Sequence, residues 1–419
     1  MNKKIVNIFI IYLIFQNLIF NIFSLPDFFN YWDEIIEIIL ILCGLVQVFC
    51  KKEKLSKNTI IIIISLSIII LIGFLGNLRF GYMNSIWAIF KDVIGFLKFP
   101  ISLLILNNLE FYNVFDKINY KFFEKIIKWI IIIIFLLGII SIFFNIGLSQ
   151  NELRYGIKPY QFLFTHPTFL VLSSVFLLSI IETFKFKDNT KLYLYEGMIL
   201  VIIILTMRTK GFAIAGIFIL AKYLLPKFKE IKNLLNFRQL KIKNVLFIIF
   251  SMIIISATVY FVGSKIFLYI SFPSSPREVL YKGALTLVIK CFPFGSGFGT
   301  FASHVSGEYN SLIYEFIKVP YYWTESGNEI NVLGDAGYAY YLGQLGIFGF
   351  IIFAFILYEL YRLTMSVSKS KLSIIILWLY ILLSLTTEAI LLNNGLEFSF
   401  MFMYIMFKQR KSGDENGKT

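Results

Sequence analysis

Arg208 and Lys210 stand two residues apart in "TMRTKGF", and Arg277 stands in "SSPREVLYKG". Guanidinium forks pair bidentately with phosphate oxygens, so two arginines meeting at one point suit a diphosphate. Asp335, in "GDAGYAYYLGQLGIFGF", is a carboxylate of the type that takes a proton from a hydroxyl. Lys282, five residues after Arg277, points elsewhere on a helix and reads as a surface charge. A plainer reading stands beside each of these: basic side chains at helix ends snorkel toward water and lipid phosphates. Exposed loop acids such as Glu308, Glu315, Glu325 and Glu329 are ordinarily solvated.

Other polar residues are less specific. Lys91 and Lys98, seven apart, share a helix face, and Asp92 lies beside the first. Charge inside an apolar helix is expensive and faces either a cavity or a partner, so both a functional site and a self-neutralising pair stay open. His166 and His304 are the only two histidines, too few for a metal centre. Gly295, Gly297 and Gly299 lack the strand–turn–helix context of a nucleotide fingerprint and read as a sharp turn at the membrane surface. Cys43, Cys50 and Cys291 have neither CxxC spacing nor a disulfide pattern. The aromatics 319–323 and 338–341 read equally as an interfacial belt or as platforms for sugar rings.

The elements that must position these residues are membrane helices. The 419-residue chain is 58% hydrophobic and 15% charged, against about 25% charge in a soluble domain. Apolar runs predict twelve spans, near 5–23, 34–50, 59–76, 85–106, 129–148, 166–184, 191–207, 211–225, 244–263, 335–360, 372–391 and 395–407. Lys3 and Lys4 precede an apolar run to Phe23 without a small-residue cleavage site, which reads as an uncleaved first span. The net charge of +14 sits in short loops on one side of the spans, including 51–57, 107–128, 226–243 and 361–371. That placement argues for cytoplasmic loops and cytoplasmic termini, and against a nucleic-acid partner. The chain thus reads as one all-α integral membrane domain, 1–419, with a single large extracytoplasmic loop at 264–334. Within the loop, Ser275-Pro276-Arg277-Glu278 predicts a helix start, with serine as cap, proline in the first turn and glutamate three residues on. The helix runs toward Pro293 and puts Arg277 at the outer mouth of the bundle. Arg208 and Lys210 fall on the same outer side, where the loop rule disfavours basic residues.

"ALTLVIKCFPFGSGFGTF" after Arg277, followed beyond a loop by "DAGYAYYLGQLGIFGF", resembles the core signature of the O-antigen polymerase and ligase superfamily. "TMRTKGFAIAGIFIL" is similar to its arginine-bearing segment, and "RYGIKPYQFLFTHPTFLVL" (154–172) to the segment that opens one of its spans. The resemblance covers roughly 154–360. It implies a membrane-embedded glycosyltransferase of the GT-C type, acting without metal or cofactor on oligosaccharide repeat units carried by undecaprenyl diphosphate in the bacterial inner membrane. Arg208 and Arg277 would grip the diphosphate and Asp335 would serve the acceptor hydroxyl. Arg154, His166, Lys210, Gly295, Gly297 and His304 are the further substrate-binding candidates. The ligase branch often has histidine where this chain has Asp335, and "HPT" replaces the family's "HPN"; the first departure fits a polymerase better. A flippase and a chain-length regulator of the same pathway are the implied partners. A ligase and a transporter of lipid-linked sugars remain the alternatives.

Overall fold

The computed structural model describes residues 32–50, 56–108, 119–154, 156–184, 186, 189–224, 275–318, 332–368 and 370–416, with scattered positions before residue 23 and at 256 and 260. The expected spans at 5–23 and 244–263 lie largely outside these residues, as do the loop 226–243 and the aromatics 319–323. The described chain is mostly helical, with two isolated β-bridges and no strand among the described residues.

The helices are α1 (Trp32–Cys50), α2 (Lys57–Phe80), α3 (Ile86–Asn108), α4 (Tyr120–Phe143), α5 (Pro167–Ile181), α6 (Asn189–Leu205), α7 (Thr209–Ile219, continued by a π-helical turn Leu220–Leu224), α8 (Pro276–Lys290), α9 (His304–Glu308), α10 (Ile313–Phe316), α11 (Gly337–Val367), α12 (Lys371–Ser384) and α13 (Ile390–Asn416). Among the described residues, α2, α4, α11 and the Ile390–Phe407 part of α13 are long and apolar enough to cross a membrane, and α5 and α12 are shorter apolar helices. The chain is therefore helical with the character of a membrane protein.

Several expected boundaries move, and α11 runs to Val367, into the loop placed at 361–371. The span placed at 129–148 begins nine residues earlier, at Tyr120 of α4. Lys121, Lys125 and Lys128 read as a cytoplasmic loop because they are basic, yet they occupy the first turns of this helix. The break placed near 391–395 falls instead at 385–389, between α12 and α13. Asn394, at φ −125° and ψ 21°, then kinks α13 a turn later.

The chain forms two compact units. One comprises Met1–Leu25, Asp116–Ser271 and Ser370–Tyr380, and here α6 packs against α4, α5 and α7. The other comprises Pro26–Phe115, Phe272–Lys369 and Ile381–Thr419. In it α13 and α1 pack on α3, while α11 packs on α2 and α8.

The second unit is organised around the glycine turn. Gly346 (φ 63°, ψ −172°) interrupts α11. A helix broken there leaves carbonyls without their i+4 donors. The turn supplies donors: Ser296 N–H bonds Gly343 O at 3.0 Å and Gly297 N–H bonds Gln344 O at 2.9 Å. A Cβ on Gly295 would lie 2.3 Å from Gly346 N, and one on Gly297 2.5 Å from Asn77 N, with both residues at positive φ. Only glycine fits so close to two backbones. The turn is buried among the helices, and Gly73 of α2 makes room for the Phe298 ring.

Candidate functional site

Four cation-forming side chains gather in the first unit. Residues 149–160 fold back on themselves through the bridges Ser149–Tyr160 and Arg154–Ile157. Tyr160 N–H donates to Leu205 O at 2.9 Å, which ties this hairpin to the end of α6. His166 is the N-cap of α5, ahead of the helix, and its Nδ1 accepts from Thr168 N–H at 3.3 Å. Arg208 is the N-cap of α7, reached through Met207 at φ 50°. Its Nη2 lies 3.1 Å from Gln150 Oε1 and 2.6 Å from His166 Nε2. Lys210, the second residue of α7, places Nζ 5.3 Å from the Tyr380 ring centre.

The electrostatics of His166 report on this gathering. Burial first, then the charges of Arg208, Arg154 and Lys210, push its pKa down to about 4. Both ring nitrogens face donors. A neutral imidazole has one lone pair to offer them and a protonated one has none, so the geometry agrees with a neutral ring. Cations held this close together repel one another unless an anion sits among them.

The second unit holds Arg277 and Asp335. Helix α8 starts at Pro276, as the capping pattern predicts: Ser275 Oγ accepts from Glu278 N–H at 3.4 Å. The glutamate itself pairs with Lys282, whose side chain is 67% exposed, so Lys282 is the surface charge that the sequence indicates. Arg277 Nε bonds Asp335 O at 3.2 Å, and its Nη2 meets Asp335 Oδ2 at 3.2 Å. The arginine and the acid, read as separate tools in the sequence, are thus one ion pair, with side chains 28% and 46% exposed. Asp335 precedes α11 and is anchored on both sides: its own N–H bonds Val332 O at 3.1 Å, and Ala389 N–H bonds Gly334 O at 3.0 Å. Burial raises the Asp335 carboxyl above its ordinary value, Arg277 opposes this, Glu388 adds to it and His304 opposes it. His304 opens α9, and its Nε2 would lie 2.7 Å from a Cβ on Gly334. The Nε2 end of the ring therefore lies against the residue before Asp335.

Gly295 and Gly297 lie in the break of α11 rather than among these charges. Asp92 reaches the same loop. It is 2% exposed, and its Oδ2 accepts from Gly299 N–H at 2.8 Å and Tyr340 OH at 2.9 Å. Gln344 Nε2 donates to Phe301 O at 2.7 Å, and Asn77 pairs with both N–H and C=O of Phe298 at 2.8 and 2.9 Å. The sequence showed Asp92 only as a neighbour of two lysines, and nothing local in it reveals a loop two hundred residues away. Neither lysine pairs with Asp92: Lys91 meets Glu308 at 2.7 Å, and Lys98 bonds Asp33 and Glu34. Tyr340 and Tyr341 are core residues, each 1% exposed, and so belong to neither an interfacial belt nor a sugar platform.

The structure thus assembles Arg154, His166, Arg208 and Lys210 in one unit, and Arg277, Asp335 and His304 in the other. Arg208 belongs to the first unit and Arg277 to the second. Among the described residues no group of three or more His, Cys, Asp or Glu is arranged to hold a metal ion. In comparison with known proteins, no family model matches the chain and no curated protein matches it.

Proposed function

We propose that this protein is a membrane glycosyltransferase that polymerises oligosaccharide repeat units carried on undecaprenyl diphosphate, at the extracytoplasmic face of a bacterial inner membrane. One observation supports this reading above the rest: Arg154, His166, Arg208 and Lys210, from three separate segments, come together, with Arg208 Nη2 against His166 Nε2 and all three cations acting on that ring. A site so built favours an anionic headgroup over a neutral sugar.

In the reaction, a hydroxyl oxygen of the incoming repeat unit attacks the anomeric carbon of the growing chain. The bond from that carbon to the diphosphate oxygen breaks, and undecaprenyl diphosphate leaves with the electron pair. The guanidinium groups stabilise the negative charge that builds on the leaving oxygen, a preorganised effect that is usually the largest in catalysis. The acceptor proton passes to the Asp335 carboxylate, whose partial desolvation raises its pKa and makes it a better base than a fully solvated aspartate. Arg277 orients that carboxylate through its ion pair. Twelve spans with both termini in the cytoplasm complete the proposal.

The test uses purified protein in detergent with lipid-linked repeat units. Chain extension that fails in Arg208→Ala and Arg277→Ala supports the reading. Transfer of finished glycan to a different acceptor makes the protein a ligase. Absence of any transfer, with flipping of the same lipid in proteoliposomes, makes it a transporter.

A further inference from the structure

A second charged assembly lies in the bundle of α1, α3 and α13 and takes no part in the chemistry above. Lys98, 2% exposed, bonds Asp33 and Glu34 from the first turn of α1. Glu37, one turn further along α1, is 1% exposed, and neither of its carboxylate oxygens has a hydrogen-bond partner among the described residues. The charges acting on it are Lys98, Glu34 and Asp33. From α13, Glu397 is 4% exposed and faces the same group. Its Oε1 accepts from Asn394 Nδ2 at 3.2 Å, while Oε2 has no partner among the described residues. Asn394 is the residue at which α13 kinks.

Four carboxyl groups therefore share one ammonium. Fully ionised, they leave three negative charges uncompensated, and Glu37 and Glu397 are the two with almost no access to water. A buried carboxylate with neither counter-ion nor donor is too costly to keep, and it neutralises instead. A proton is the smallest ligand that does this. Placed on Glu37 or Glu397, it converts an acceptor-only oxygen into a donor that reaches a neighbouring carboxylate. Lys98 is twelve residues from the start of α3, about 18 Å by helical rise, and ionisable groups buried among the helices of membrane proteins often mark proton and ion paths.

We propose that Asp33, Glu34, Glu37 and Glu397, around Lys98, form a proton-binding site that holds at least one exchangeable proton at neutral pH. The site is independent of the glycosyl-transfer reading. Protons enter from water and leave to it; no other bond is made and no electron moves.

The experiment is infrared spectroscopy of the full-length protein in detergent, recorded against pH. The carboxylic-acid carbonyl band, which shifts in heavy water, is followed in wild type and in E37Q, E397Q and K98M. The expected result is a band at neutral pH that E37Q or E397Q removes or shifts. K98M should enlarge it, because one acid must take up a proton in place of the lost ammonium. Superimposable spectra in wild type and all three variants overturn the proposal. So does a band that disappears when sodium is added at constant pH, which would make this a metal-cation site. Should the glutamine variants fail to fold, the K98M band decides alone: enlarged supports the proposal, unchanged overturns it.

Discussion

The His166 ring is a sensor built into the cation cluster. Its pKa of about 4 arises from burial and from Arg208, Arg154 and Lys210, in that order. An anion bound among those cations must reverse part of the effect. One negative charge about 5 Å from the ring, at an effective dielectric of about 20, acts with about 3 kcal/mol. That is about two pK units, so inorganic pyrophosphate, as a stand-in for the headgroup, should raise His166 from about 4 to about 6. The chain has two histidines, so His304→Gln leaves His166 as the single imidazole signal in a ¹⁵N-histidine NMR titration. Arg208→Gln alone should raise the pKa by about one unit, because burial is the larger cause and persists. It should also weaken the response to pyrophosphate. A His166 that titrates near 6.5 in the free protein refutes the electrostatic reasoning. A pKa of about 4 that stays unchanged at saturating pyrophosphate refutes the anion site.

Other outcomes follow from the same geometry. His166 has a folded pKa below its unfolded one, so the unfolded state binds more protons between about pH 6.5 and 4, and stability falls as pH falls through that window. The full shift corresponds to about 3 kcal/mol, and screening of a part-exposed ring reduces it to about 1–2 kcal/mol; a difference melt of wild type against His166→Gln reads it. Asp92→Ala leaves Tyr340 OH without its buried acceptor and Gly299 N–H with Gln344 Oε1 alone and should cost about 1–3 kcal/mol, seen as a lowered melting temperature. Gly297→Ala forces a side chain to φ 94° and to within 2.5 Å of Asn77 N; a loss of about 2–4 kcal/mol is expected, with Gly147→Ala, at a position open to solvent, costing less. Asp335→Asn should abolish the acid limb of the pH–rate profile, since the base then has no proton to lose.

What the sequence revealed and what it hid divide along the range of the interaction. Helix starts set by neighbours were readable: Ser275 and Pro276 define α8 because the cap and the ring act within one turn. Apolar runs located α2 and α11 for the same local reason. The first turns of α4 were misplaced because Lys121, Lys125 and Lys128 carry a loop's charge on a helix's backbone. The candidate cations were visible by type, and their gathering in the first unit follows from the short α6–α7 turn and the folded-back hairpin 149–160. The Arg277–Asp335 pair was not readable, since 58 residues separate them. Nor was the plugging of the glycine turn into broken α11, where the signal was only that two glycine-rich stretches existed. The acids around Lys98 of α3 come from α1 and α13, and spacing along any one helix cannot show them together.

The central claim is that the protein builds sugar chains from lipid-linked diphosphates. The most direct measurement adds one purified component, this chain in detergent, to lipid-linked repeat units and follows product length by gel or mass spectrometry. Ladders of two, three and more repeats, with free undecaprenyl diphosphate released in step and both lost in Arg208→Ala, are expected. Repeat units recovered at their starting length, with no diphosphate lipid released by a folded wild-type protein, contradict the account.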